Sequence, residues 1–189
     1  ASDPTRDASW PAGVEVSNLL TTVATASFTP PLGCSIVVGF TSDADNNTGS
    51  TPTITNSGTA LTWTREESTG HGGTGDVGLC AVFRAKATTG AAMTVTVTHG
   101  LNGQTSNKPK MLVARVYAPA DVDPDNPIGA IVKGAFGASS TSIQATITAL
   151  STGGGYRGLW LDWDATGQPT AFLPNNTATE LVDAYHNAG

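Results

Sequence analysis

The chain has 189 residues, a formal net charge of -6, and a charged fraction of 13%. An acidic, weakly charged chain lacks the basic surface that nucleic acids and anionic membranes select, so we expect neither as a partner. No segment reaches the run of about 20 apolar residues that a membrane-spanning helix needs. The length suits one domain with its own core.

The composition predicts an all-β protein. Threonine is the commonest residue, the chain has 22 glycines and 11 prolines, and lysine and glutamate are scarce. Threonine and valine favour strands, whereas glycine and proline favour turns. About ten short strand-like segments predict an antiparallel two-sheet β-sandwich of jelly-roll type, with a closed barrel as the alternative. We expect no helix longer than roughly two or three turns.

The first 13 residues are polar and contain two prolines. They predict an N-terminal arm (1–13) that contacts a neighbouring subunit, with Trp10 as its anchor. The remainder, 14–189, is predicted to be a single β-sandwich domain. A first strand is expected near Val23–Phe28.

The run from Cys34 to Phe40 predicts the central strand of the domain. Pro30 and Pro31 make its entry rigid, and Gly33 allows the chain to turn sharply into it. The run is apolar on both alternating faces, so we expect a strand covered on both sides, with Ile36 buried.

The other predicted strands alternate apolar and polar residues, and Trp63 is expected to be buried on one of them. On another, Val77, Leu79, Ala81 and Phe83 share one face. Loops are expected at 68–76 and 99–108. The predicted strands are 53–55, 61–66, 77–86, 93–98, 111–117, 128–136, 141–148, 156–164 and 180–186.

Nothing in the spacing of the residues selects a catalytic site. No Gly-x-Ser-x-Gly elbow is present, and His71, His99 and His186 lie in predicted loops or near the terminus, where a solvated imidazole is expected. Glu66 and Glu67 are adjacent on a predicted strand, so they should point to opposite faces and cannot flank one glycosidic bond. A disulfide between Cys34 and Cys80 requires their strands to be neighbours, and the favoured interpretation is two small buried thiols.

Two groups of residues are candidates for binding. Glycan recognition needs exposed aromatic rings with polar neighbours, and Asp162, Asp164 and Trp160 should share one face of a strand. The alternative is an outward polar face opposite core residues. The glycan candidates are Trp10, Tyr156, Trp160, Asp162 and Asp164. Asp121, Asp123 and Asp125 offer oxygens for structural calcium, although loops rich in Asp and Asn are more often simply turns.

Five segments occur in a recognisable order along the chain. They are Ala26-Ser27-Phe28-Thr29-Pro30-Pro31-x-Gly33, Leu61-Thr62-Trp63-Thr64, Ala91-Ala92-Met93-Thr94-Val95-Thr96-Val97, Pro127-Ile128-Gly129-Ala130 and Leu161-Asp162-Trp163-Asp164. This ordered set resembles a domain of virion proteins from phages that infect Actinobacteria, usually described as minor tail proteins. The resemblance covers about residues 23–187.

The resemblance implies a β-sandwich in the virion that serves assembly or host contact and has no enzymatic activity. Its expected partners are other virion proteins, copies of itself and a bacterial cell-wall glycan. Tail association is expected first, with capsid decoration and a carbohydrate-binding adhesin module as alternatives. Similar domains continue into further strands after the segment at 185–189. Either these closing strands are missing here or a neighbouring subunit supplies them.

Overall fold

The structure is a computed structural model, and it describes residues 9, 11, 15–17, 21–42, 51–70, 79–99, 110–120 and 122–129. Those residues form eight strands. In chain order the strands are β1 (Glu15–Ser17), β2 (Thr22–Ala24), β3 (Ser35–Ser42), β4 (Thr53–Asn56), β5 (Thr64–Gly70), β6 (Leu79–Lys86), β7 (Val95–Thr98) and β8 (Lys110–Tyr117). The described ranges contain no helix, and so none that could span a membrane.

The strands make two antiparallel sheets that share one apolar core. A five-stranded sheet has the order β1-β8-β3-β6-β5, and a three-stranded sheet has the order β2-β7-β4. Side chains from both sheets, among them Phe40, Phe83, Val95 and Val97, belong to the same buried cluster. The predicted all-β architecture of two antiparallel sheets is therefore confirmed for the described residues.

Strand β3 is central, as the sequence predicts. All eight of its residues pair with β6 on one side and β8 on the other. Ile36, Val38 and Phe40 point into the core and are fully buried. On the opposite face Ser35 and Thr41 are also buried. Val37 and Gly39 lie between them on that face and are half-buried, so the central position of the strand is confirmed, whereas its cover on both faces is only partial.

The entry to β3 is a tight turn that needs a glycine. The N–H of Cys34 donates to the carbonyl oxygen of Pro31 at 3.2 Å. Gly33 lies at the third position of this turn with φ of 81°. A positive φ at that position is typical of a type II turn and is strained for residues with a Cβ.

Strands β6 and β7 keep strict alternation, whereas β5 departs from the prediction. Leu79, Ala81 and Phe83 are buried on one face, as expected, and Val77 lies outside the described residues. Strand β5 begins at Thr64 and continues to Gly70, so the strand predicted at 61–66 was misplaced. The predicted loop at 68–76 is wrong at 68–70, and 71–76 lie outside the described residues. Pairing with β6 supplies the hydrogen bonds that extend this polar segment.

Several expectations fall outside the described residues. They include the strands predicted at 141–148, 156–164 and 180–186, and most of the one at 128–136, of which Ile128 and Gly129 are described and are not in a strand. Of the predicted arm, the structure describes Ser9 and Pro11, and Pro11 is buried.

The two cysteines are not joined by a disulfide. Cys34 immediately precedes β3, whereas Cys80 pairs with Thr41 near the opposite end of that strand. At about 3.4 Å per residue this separation is roughly 20 Å, far beyond the limit of about 7 Å for a disulfide. The alternative of two separate thiols is therefore correct, and burial raises the pKa of Cys80 to about 12.

The raised pKa predicts how Cys80 responds to alkylation by iodoacetamide. The thiolate is the reacting form, so in native Cys34→Ala protein the rate should rise about tenfold per pH unit from about pH 8 to pH 11. In urea the same thiol should return to its ordinary pKa of 9.0, and the rate should level off above that pH. A native rate that also levels off near this value would contradict the burial of Cys80.

Candidate functional site

An open groove runs along the side of the sandwich where β4 and β5 form the edges of their sheets. The five-stranded sheet extends past the three-stranded one, and no described strand covers the inner face of β5 beyond β4. The groove has a volume of about 430 Å³. It is lined by Thr51, Pro52, Thr53, Ile54, Trp63, Arg65 and Phe83.

The backbone of β4 presents unpaired groups to this groove. The N–H of Ser57 donates to the carbonyl oxygen of Thr94 at 3.0 Å. Hydrogen-bonded pairs recur at every second residue of an antiparallel ladder, so Thr53 and Thr55 direct their backbone groups toward β7. Ile54 and Asn56 then direct theirs toward the groove, where no described strand pairs with them.

Asn56 holds the turn between β4 and β5 with its side chain. Its Oδ1 accepts hydrogen bonds from the N–H of Leu61 at 3.0 Å and from Nε1 of Trp63 at 3.1 Å. Its Nδ2 donates to the carbonyl oxygens of Ser57 and Thr59, both at 2.8 Å. The amide therefore fixes the indole of Trp63, which is half-buried against the core at one end of the groove.

Arg65 gives the groove a positive charge that nothing in the described structure neutralises. It pairs with Phe83 in the β5–β6 ladder, is exposed, and lines the groove. Within the described ranges, the guanidinium of Arg65 makes neither a hydrogen bond nor an ion pair. The side chain of Arg84, in contrast, binds the carboxylate of Glu66 and the carbonyl oxygen of Asp125.

A β-bulge explains the different surroundings of Arg65 and Arg84. The register of β5 against β6 shifts between Arg65 and Glu67, which leaves Glu66 as the extra residue. A bulge interrupts the alternation of side chains. The prediction that Glu66 and Glu67 point to opposite faces stays a prediction, because the side chain of Glu67 lies outside the described part of the chain. The carboxylate of Glu66 is committed to Arg84.

Among the residues that the structure describes, the outer surface of the three-stranded sheet carries no charge. Cross-strand pairing aligns Thr22, Thr98 and Thr53 in one row and Ala24, Thr96 and Thr55 in the next. We call these six residues the threonine face. Ala24, Thr53 and Thr55 are exposed, and the other three are half-buried.

His99 is buried, which contradicts the expectation of a solvated imidazole. It is 1% exposed, and its Nδ1 lies 3.1 Å from the hydroxyl oxygen of Ser42, which is also buried. The ring meets Phe40 edge to face, with centroids 5.9 Å apart. A serine–histidine pair of this kind resembles part of a nucleophilic site, but neither group is open to a substrate in this structure.

The structure describes Asp123 and Asp125, two of the three aspartates predicted to bind calcium. Oδ1 of Asp123 accepts the N–H of Asp125 at 2.9 Å, which is the geometry of an Asx turn. Oδ1 of Asp125 lies 2.8 Å from Nζ of Lys86. The described residues include no group of three or more potential metal ligands. Asp121 lies outside the described residues, so the calcium site stays a prediction.

The glycan candidates also stay predictions. Trp10, Tyr156, Trp160, Asp162 and Asp164 all lie outside the described residues. The described groove was not predicted as a site, and Trp63, which was expected to be buried on a strand, is half-buried and precedes β5. The available signal was Pro52, since a proline directly before a short strand is typical of a sheet edge.

Comparison with known proteins assigns no family. No family model matches the chain, and no curated protein or solved structure matches it. Function is therefore argued from the site itself.

The hydrogen bonds of Asn56 predict a large effect of one substitution. Asn56→Ala leaves the part-buried Leu61 N–H and the Trp63 indole without their acceptor, and should lower the free energy of unfolding by about 2–3 kcal/mol in urea titrations. Asn126→Ala is the matched control, because Asn126 is exposed and its side chain makes no hydrogen bond in the described structure. It should change stability by less than about 0.5 kcal/mol. Equal effects would contradict the role given to Asn56.

Proposed function

We propose that this chain is a structural protein of a phage virion, associated with the tail, that assembles with neighbouring subunits and contributes to contact with the host surface. It acts through packing and not through catalysis. The threonine face is the observation that supports an assembly role best. The phage context comes from the resemblance of the sequence segments described above.

The charge of the chain explains why an uncharged face suits contact between copies. Each copy has a formal net charge of -6, so copies repel one another over distances of about a Debye length. Contact through the threonine face brings no like charges together. Threonine methyl groups lose water while the hydroxyl groups retain hydrogen-bonding capacity, which suits tight packing of sheets.

We also propose that the sandwich is a jelly roll. An eight-stranded jelly roll places its first, eighth, third and sixth strands in one sheet and its second, seventh, fourth and fifth in the other. The described order 1-8-3-6 and 2-7-4 agrees with that pattern, and β5 departs from it by joining the edge of β6. Jelly rolls are common in viral capsid proteins, which is consistent with a virion role. As part of this proposal, the complete sandwich has about ten strands.

Introducing a negative charge on the threonine face tests the assembly role. We expect purified protein to form a discrete oligomer by light scattering, and Ala24→Glu or Thr96→Glu to shift it toward monomer, because each copy buries an uncompensated carboxylate. Ala60→Glu and Thr88→Glu add the same charge at exposed turn positions and should leave the oligomer intact. A wild-type protein that is monomeric throughout would contradict the proposal and favour the adhesin module.

Location on the particle tests the phage context. Gold-labelled antibodies against this chain should bind the tails of particles from the phage that encodes it. Labelling confined to the capsid would replace tail association with capsid decoration. Purified particles that contain none of this protein by mass spectrometry would contradict a virion role.

A further inference from the structure

We propose that the groove between β4 and β5 is a strand-addition site. It binds an extended peptide segment of a partner protein, which pairs with the edge of β4 that no described strand occupies and places a carboxylate against Arg65. This inference deepens the proposed assembly function and rests on it for the source of the segment, a neighbouring virion subunit. The binding chemistry itself rests on the groove.

The two unequal sheets leave a position for one more strand. A strand added to β4 would lie about 4.8 Å from it, in the layer that faces the inner side of β5 and β6 at about 10 Å. That position coincides with the groove, whose lining comes from β4, β5, β6 and the segment before each edge strand. In the jelly-roll order the fifth strand would lie beside β4, but here β5 pairs with β6.

The outer edge of β4, unpaired among the described strands, supplies a register for the peptide. The backbone groups of Ile54 and Asn56 point away from β7, so an extended segment can pair with them at alternate residues. Pro52 has no N–H and limits pairing at the start of the edge. Only a short stretch of the peptide backbone can therefore pair with β4, and side-chain contacts supply the rest of the recognition.

The side chains around the groove define the chemistry of the partner. Ile54 and Trp63 are half-buried apolar residues, and Phe83 is part of the buried core. Arg65 adds a guanidinium with no partner among the described residues. A segment with apolar residues on either side of an aspartate or glutamate, all on one face, satisfies both features, because guanidinium and carboxylate form strong charge-assisted hydrogen bonds.

A peptide suits this site better than a sugar. Sugars commonly stack on an exposed aromatic ring, whereas Trp63 is half-buried and its indole N–H is already bonded to Asn56. Sugars also lack the alternating donors and acceptors that match a strand edge. Strand edges left open are surfaces on which other chains pair.

The test uses a blocked synthetic peptide, acetyl-TVTDTVT-amide, in which two valines and the aspartate share one face. The full-length protein is titrated with this peptide, and amide exchange is followed by nuclear magnetic resonance. In free protein the amides of Ile54 and Asn56 should exchange faster than those of Thr53 and Thr55 on the same strand. The peptide should protect Ile54 and Asn56 selectively.

Charge pairing is tested by a double-mutant cycle with the peptide TVTNTVT. Arg65→Gln should weaken binding of the aspartate peptide about tenfold and leave the asparagine peptide within about twofold. Lys86→Gln removes one positive charge from an exposed side chain on the same sheet and should leave both affinities within about twofold. If Arg65→Gln weakened binding of both peptides equally, Arg65 would not act through the peptide carboxylate, and the proposed arginine–carboxylate pair would be wrong.

Backbone pairing is tested with the aspartate peptide N-methylated at alternate residues, prepared in both phases. One phase should lose binding and the other should retain it, because strand addition uses one edge of the peptide. No binding up to about 1 mM peptide, equal binding in both phases, or protection of Ile54 and Asn56 by N-acetylglucosamine tetramer in place of the peptide would overturn the site.

The outcomes separate this inference from the proposed function. If the peptides fail to bind while Thr96→Glu still disrupts the oligomer, the assembly role stands and the strand-addition site is wrong. If the peptide binds but the wild-type protein is monomeric and missing from phage particles, the groove is a peptide site and the virion role is wrong.

Discussion

The double pairing of β3 is the constraint on which the rest of the described structure depends. A strand that pairs along its whole length with β6 and with β8 fixes the register of both neighbours at once. A slip by one residue would turn Ile36, Val38 and Phe40 out of the core and expose three large side chains. The cost, at about 25 cal/mol per Å² of apolar surface, is several kcal/mol. The register with β3 also determines which side chains of β6 and β8 point into the core.

The unequal width of the two sheets follows from which partner each strand takes. Strand β5 pairs with β6, where its polar residues find ladder hydrogen bonds and Glu66 reaches Arg84. The three-stranded sheet consequently ends at β4, and the side chain of Asn56 closes the turn that joins the two edges. The groove is thus a result of strand partnering, while the residues that line it are ordinary apolar residues and one arginine.

The sequence predicts the strands with strong local patterns and does not predict the groove. The apolar run of β3 and the alternation of Leu79, Ala81 and Phe83 report burial directly, because period-two burial is a local property. Strand β5 was misplaced because its residues are polar and extended only through pairing with β6. Burial of His99 depends on Ser42 and Phe40, which are distant in sequence. No periodicity encodes such a contact, nor the choice of sheet that a strand joins.

The distribution of positive charge gives Arg65 its significance. The chain has 9 basic and 15 acidic residues, so partners for an arginine are plentiful. Arg84 and Lys86, on the outer face of the same sheet, both take them. Arg65 lies in the same row as Phe83, and it lines the groove together with Ile54 of β4. An exposed arginine costs little when water solvates it, and it strengthens any carboxylate contact once a bound strand excludes that water. The groove therefore discriminates between segments by charge only when they are bound in extended form.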